Sequence, residues 1–194
     1  MSEATKQKIL EAAVAEFGAK GYAGARTAGI AARAGVNQQL IAYYFGGKQG
    51  LLDELRRRWS EQQDKVMPAQ SDFAATLQAY LDITLDQMDW ARLVIWQGLG
   101  DGAESGATEA GEAQARRLRE GVERIEARQR SGELTDAVSA EFVMLLAHMV
   151  AFAPVAMPQV VRTITGVEPG SPDYRSLCRD QLVALLTPEP SPTE

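Results

Sequence analysis

The chain has 194 residues, 45% of them hydrophobic, and a formal net charge of −6, enough apolar material to bury a core and to exclude disorder as the default. A single cysteine, Cys178, excludes an internal disulfide, and a single histidine, His148, excludes a histidine cluster for metal or for a two-histidine mechanism. The opening MSEATKQK lacks an apolar signal segment and the apolar run from Phe142 to Met157 is shorter than a spanning helix, so a cytoplasmic protein with no membrane partner is expected.

In chain order, Lys6 to Gly21 reads as an amphipathic helix, with Ile9, Leu10, Ala13 and Phe17 at helical intervals and Gly18 and Gly21 near its end. Thr27 is placed to cap a second helix whose inward face is Ile30, Ala31 and Ala34. Gly35 follows its last turn, where a left-handed backbone costs glycine least. The methyl group of Ala31 lets another helix cross at close range, and Val36 fills the gap behind the turn. On that crossing helix, Ile41 with Tyr44 or Phe45 recurs at helical spacing and pins it to a small core. Its opposite face carries Asn37, Gln38, Gln39 and Tyr43, amide and phenol groups that can donate to and accept from base edges in the major groove. Two glutamines suit adenine edges, each such pair giving about 1–3 kcal/mol of discrimination. The stretch from Thr27 to Lys48 therefore predicts a helix-turn-helix that reads DNA.

Gly46-Gly47 separates this motif from a connecting helix with the stripe Leu51, Leu52, Leu55 and Trp59. Pro68 and Ser71-Asp72 mark a break, and Leu77, Tyr80, Leu81, Thr84, Leu85 and Met88 then share one face of a helix from Phe73 to Met88. Trp90 to Leu99 is short and aromatic, and Gly98, Gly100, Gly102 and Gly106 follow it in a segment that cannot hold a firm helix, where a mobile loop is expected. From Gly111 to Arg130 the pairs Glu112 and Arg116, Glu120 and Arg124, and Glu126 and Arg130 sit four apart in the favourable order on a charged helix. Its inner edge is Ala115, Leu118, Val122 and Ile125. Ser131-Gly132 ends it, and Thr135 with Asp136 looks like the start of the next helix, which runs toward Pro154 and Pro158. The final helix begins near Pro172-Asp173 and carries Tyr174, Leu177, Cys178, Leu182, Leu185 and Leu186; the tail TPEPSPTE is too proline-rich to be firm. With no strand pattern, the fold class expected is all-α.

The first third of the chain resembles the TetR family of transcriptional regulators, through Ile9, Ala13, Phe17, Gly21-Tyr22, Thr27, Ile30-Ala31, Ala34-Gly35-Val36, Tyr44-Phe45, Lys48 and Leu51-Leu52. The resemblance implies a three-helix DNA-binding head over residues 1–47, joined by the connecting helix to a helical ligand-binding and dimerisation domain over 48–187, with 188–194 as a loose tail. It implies that Thr27 and Lys48 touch phosphates and that Gln38, Gln39 and Tyr43 read bases. The chain departs from the family at Ala42, where a tyrosine is usual, and at Gln39, where a glycine or small residue is frequent; Tyr43 or Tyr44 is the expected replacement for that tyrosine's contacts. Repression, too, is implied by the resemblance alone.

Charge follows the same division. Residues 1–65 hold ten Lys or Arg against seven Asp or Glu, and residues 66–194 hold ten against nineteen. Only the head suits a polyanion, and phosphate neutralisation depends on where Lys6, Arg26, Arg33, Lys48 and Arg56 to Arg58 point. Tight specific binding calls for a two-fold dimer on a pseudo-palindromic double-stranded operator, with half-sites about 34–36 Å apart or a multiple of it. The helices from Thr135 and from Asp173 are the expected dimer elements, through Phe142, Leu145, Met149, Tyr174, Leu177, Leu182 and Leu185. A pocket for a small, mostly apolar effector is expected at Tyr80, Met88, Trp90, Trp96, Gln97, Met144 and His148. No cofactor and no enzymatic activity are expected, since neither Cys178 nor His148 sits in a recognisable catalytic motif. The competing reading is an all-helical dimeric adaptor without specific DNA binding, which leaves the Thr27 to Lys48 arrangement unexplained.

Overall fold

A computed structural model describes residues 3–66, 71–100 and 109–188. Among these residues the chain is all helix and turn, with no strand: α1 (Glu3–Gly24), α2 (Thr27–Ala34), α3 (Gln39–Phe45), α4 (Lys48–Val66), α5 (Phe73–Leu85), α6 (Met88–Gly100), α7 (Glu109–Arg130), α8 (Ala140–Ala156), α9 (Pro158–Thr165) and α10 (Pro172–Leu186). Two compact units form, one from Met1–Lys65 with Gln87–Ala113 and one from Val66–Asp86 with Gln114–Glu194. The sequence reading divides the chain after residue 47; in the structure α4 and α6 belong with the head.

In the first unit Ile9, Leu10, Ala13 and Phe17 of α1 are buried together with Ile30, Ala31, Ile41 and the Leu51, Leu52 and Leu55 stripe of α4. The aromatic stretch from Trp90 is helical, and the helix carries on through Gly98 to Gly100, the first part of the glycine segment expected as a loop. Burial explains it: Trp90, Ala91 and Leu93 are core residues, and their burial outweighs the cost of about 1 kcal/mol that each glycine imposes on a helix. Gly18 permits the approach of α6 to α1, since a Cβ there would stand 2.5 Å from the Asp89 carbonyl oxygen. Trp96 lies over Gly21, where α1 kinks at φ 67°, and donates its Nε1–H to the Gly18 carbonyl at 3.2 Å. The rings of Trp59 and Trp90 stack at 5.1 Å. The break expected at Pro68, the glycines at 102 and 106 and the tail from residue 189 lie outside the described residues.

In the second unit α5 starts on Asp72, whose side chain accepts from the Ala75 N–H at 2.7 Å. Helix α5 packs against α8 and α10, and α9 against α8. The core is Phe73, Leu77, Leu81, Leu85, Ile125, Leu134, Val143, Ala147, Ala151, Tyr174, Leu182 and Leu186, among others. Helix α8 begins five residues later than expected, at Ala140, with Ser139 as its cap. Thr135 and Asp136 belong to a loop held from inside, where Gln129 Nε2 donates to the carbonyls of Thr135 (2.9 Å) and Val138 (2.7 Å). Helix α8 runs toward Pro158 as expected, and a further helix that the sequence reading did not expect, α9, follows from Pro158, bent 107° from α8. Pro154 does not break α8, although it has no N–H for the Val150 carbonyl one turn earlier. Tyr174 supplies the donor from α10, with its hydroxyl 2.7 Å from that oxygen. No single helix among the described residues is long and apolar enough to cross a membrane.

Candidate nucleic-acid interface

Helix α2 ends as glycine dictates. Gly35 adopts φ 67° and ψ 36°, which lets its own N–H and that of Val36 close on the carbonyls of Ala32 (3.2 Å) and Ala31 (3.0 Å). Asn37 then launches α3, its Oδ1 accepting from the Gln39 N–H at 2.8 Å. Of the four polar groups expected to face bases, Asn37 is therefore partly committed to its own turn. Its amide NH₂ is what remains for a partner.

On the inner side of α3, Ile41 is completely buried. On the outer side Gln38, Gln39 and Tyr43 are exposed, Tyr43 to 80%. Tyr43 rests edge-on against half-buried Tyr44 at 5.1 Å, and the Lys6 ammonium stands 5.7 Å from the Tyr44 ring centroid. A phenol held edge-on against a neighbouring ring loses less entropy on ordering than a free one. Thr27 does not cap α2 as expected: Arg26 holds the N-cap position, and no side chain caps there. The Thr27 hydroxyl instead accepts from Gln38 Nε2 at 2.8 Å, tying the start of α2 to the start of α3. Its own O–H is left to donate outward.

Lys48 opens α4, where the positive end of the helix dipole adds to its charge. Its ammonium sits 4.3 Å from the Tyr22 ring centroid and 3.5 Å from the Ala23 carbonyl, while the Tyr22 hydroxyl donates to Gln49 Oε1 at 2.8 Å. Nothing in the spacing of the sequence signals this cradle, which comes from the end of α1. The arginines of α4 are spent within the head. Arg56 pairs with Asp53 at 3.4 Å, Arg57 with Glu54 at 2.8 Å and with Glu61, and Arg58 with Glu54 at 2.7 Å. Hydrogen bonds from Arg57 and Arg58 hold the Glu54 carboxyl down at about 2. Glu16, buried beside Gly29, draws in Lys20 at 2.5 Å and Arg33 at 3.8 Å. Arg26, exposed and without an ion-pair partner among the described residues, and Lys48 are the cations best placed for phosphate.

The residues expected around an effector separate. A cavity of about 420 Å³ lies wholly within the second unit, and Tyr80 and Met144 line it. His148 stands behind Tyr80 at 5.1 Å between ring centroids, its Nδ1 3.0 Å from the Met144 carbonyl. Burial lowers its pKa below the ordinary imidazole value, and burial pushes the Tyr80 phenol upward. Met88, Trp90, Trp96 and Gln97 are not in its wall. They belong to α6 of the first unit, where the two indoles make the packing contacts described above. The sequence reading missed the polar wall, Ser71, Thr76, Arg124, Arg128 and Glu133, because α5, α7 and the loop after α7 meet only in the fold.

The expected dimer residues also divide. Phe142, Leu145 and Met149 on α8 and Leu177 and Leu185 on α10 are exposed, the three on α8 to more than half. Tyr174 and Leu182, at 3% and 6%, belong to the subunit's own core, Tyr174 because α8 needs its hydroxyl, so neither is available to a partner.

A buried-backed helix-turn-helix followed by a helical unit is the build of a DNA-binding transcriptional regulator. The family model for bacterial regulatory proteins of the tetR family matches residues 9–55, and that of the tetracyclin repressor-like C-terminal domain matches 71–183. The HTH-type transcriptional repressor SCO4008 of Streptomyces coelicolor is 35% identical over 165 residues, covering 84% of this chain and 85% of that protein. The chain belongs to the TetR family of transcriptional regulators. Its fold is shared over nearly the whole length by the transcriptional regulator SCO4942 of S. coelicolor (TM-score 0.76, 23% identity, 96% of this chain and 99% of that one). The ketosteroid transcriptional regulator KstR2 of Mycobacterium tuberculosis shares it as well (TM-score 0.73, 13% identity, 97% and 98%).

Proposed function

We propose that this protein is a homodimeric repressor that reads a pseudo-palindromic operator with α3 and is released from it by a small, mostly apolar molecule held in the second unit. The observation that carries the reading is the two-sidedness of α3, with Ile41 fully buried and Gln38, Gln39 and Tyr43 turned to solvent. Polar side chains fixed from behind by a packed helix meet the requirement for base-edge recognition, and Arg26 and Lys48 flank them as phosphate contacts. The name of the S. coelicolor relative, a transcriptional repressor, supports repression here.

The apolar faces of α8 and α10 are the dimer elements, through Phe142, Leu145, Met149, Leu177 and Leu185. Left in water such a stripe costs about 25 cal/mol for each Å² that a partner would cover. Release then follows from linkage: a ligand that prefers the DNA-free conformation weakens DNA binding by its differential affinity, tenfold for each 1.4 kcal/mol. Sedimentation on a duplex recovered from a random pool tests the assembly, with two chains per duplex expected. Leu145→Glu should give a monomer that binds the duplex at least a hundredfold more weakly. A monomeric variant with the parent's affinity would refute the dimeric reading.

A further inference from the structure

The polar groups in the wall of the cavity fall into two sets. The first is closed on itself. Arg128 donates to both oxygens of Glu133 (2.5 and 2.7 Å), to the Ser71 carbonyl (2.6 Å) and to Thr76 Oγ1 (3.0 Å). Glu133 also accepts from the Phe73 N–H at 2.6 Å, and the Ser131 hydroxyl donates to the Arg128 carbonyl at 2.9 Å. This network fastens the start of α5 to the end of α7, and its charges are balanced within it.

The second set is Arg124 alone. It has no hydrogen-bond or ion-pair partner among the described residues, and the pairing with Glu120 expected from their spacing does not form. Its guanidinium folds instead over Gly121, where Nη2 lies 3.8 Å from the place a Cβ would take and Met144 Cε closes the other side at 2.7 Å. A side chain at position 121 would displace the end of Met144 and leave the guanidinium at ordinary contact distance. The remaining walls, Phe73, Leu77, Ile125, Met144 and Ala147, are apolar.

Resting on the reading of this cavity as the effector site, we propose that its ligand is an organic monoanion on an apolar body, with the anionic head on Arg124 and the body against Leu77, Tyr80 and Met144. A guanidinium without a partner at the edge of an apolar cavity is a charge-assisted donor for a carboxylate or a similar oxyanion. A neutral molecule of the same shape forgoes that bond, and a cation meets repulsion from Arg124, the Arg128 charge being balanced by Glu133.

Titration calorimetry of the intact protein with decanoate, decan-1-ol and decyltrimethylammonium tests the assignment. Decanoate should bind about tenfold or more tightly than the alcohol, the effect of one hydrogen bond to a charged group, and the cation most weakly. Arg124→Gln, on an exposed helix position that accepts glutamine, should bring decanoate and decanol within about twofold, and Arg124→Lys should keep most of the preference. Ala147→Trp, which fills the cavity, should abolish decanoate binding. Equal binding of acid and alcohol, an unchanged preference in Arg124→Gln, tightest binding of the cation, no heat from any probe, or undiminished decanoate binding in Ala147→Trp would each overturn it. Adding operator duplex separates this assignment from the effector reading. Decanoate that binds through Arg124 but leaves the DNA complex intact supports the anion site and removes the effector role. Decanol that releases DNA equally from the parent and Arg124→Gln overturns the anion site and leaves the effector role standing.

Discussion

Tyr174→Phe removes one oxygen and tests how α8 tolerates a proline. The Tyr174 hydroxyl lies 2.7 Å from the Val150 carbonyl, the acceptor that Pro154 cannot serve. Phenylalanine keeps the ring in the core and leaves that carbonyl, half-buried, without a donor. The loss is about 1–2 kcal/mol, since an unpaired acceptor forfeits more than a net hydrogen bond. With a urea dependence of about 2 kcal/mol/M, the unfolding midpoint should fall by about 0.5–1 M. The same change in a Pro154→Ala background should cost well under about 1 kcal/mol, because alanine at that position restores the N–H that closes the helix turn. Circular dichroism on the four proteins of that cycle supplies the measurement. Equal costs in the two backgrounds would refute the claim that Tyr174 compensates for the proline.

Lys48→Ala should weaken binding to all duplexes alike. Each half-site then has one phosphate fewer neutralised, so the slope of log K against log salt should become less steep by about 2, at about 0.9 per phosphate, and an unchanged slope would remove Lys48 from the interface. His148→Phe addresses the buried imidazole, whose folded pKa lies below its ordinary 6.5. The unfolded chain therefore binds the proton more readily, so this group's effect favours folding above pH 6.5 and is lost as pH falls below it. The parent should lose more stability than the variant between pH 7.5 and 5.5, as read from urea midpoints, and parallel losses would show that His148 is not the group responsible.

Local chemistry made the head legible. Gly35 after Ala34, Ala31 in mid-helix and the opposition of Ile41 to Gln38, Gln39 and Tyr43 are all set by neighbours within one or two turns, and α2 and α3 fall where these residues place them. Features that depend on distant partners were not legible. The helicity of α6 rests on burying Trp90, Ala91 and Leu93, and the late start of α8 rests on Gln129 holding the preceding loop. Tyr174 and Leu182 share a helical stripe with Leu177 and Leu185, yet only the fold decides which of the four face inward. The cavity shows the same limit: Tyr80 and Met144 could be picked by type, whereas the spacing of Arg124 from Glu120 suggests half of a surface ion pair and gives no sign that its guanidinium lies over Gly121.

The central claim, that α3 reads base sequence, is tested most directly by selecting bound duplexes from a random pool with the parent protein and with Gln38→Ala. The account predicts a two-fold symmetric consensus for the parent and, for the variant, loss of preference at one position in each half-site with the rest of the consensus intact. A consensus unaltered by the substitution, or a pool that the parent does not enrich, would contradict it.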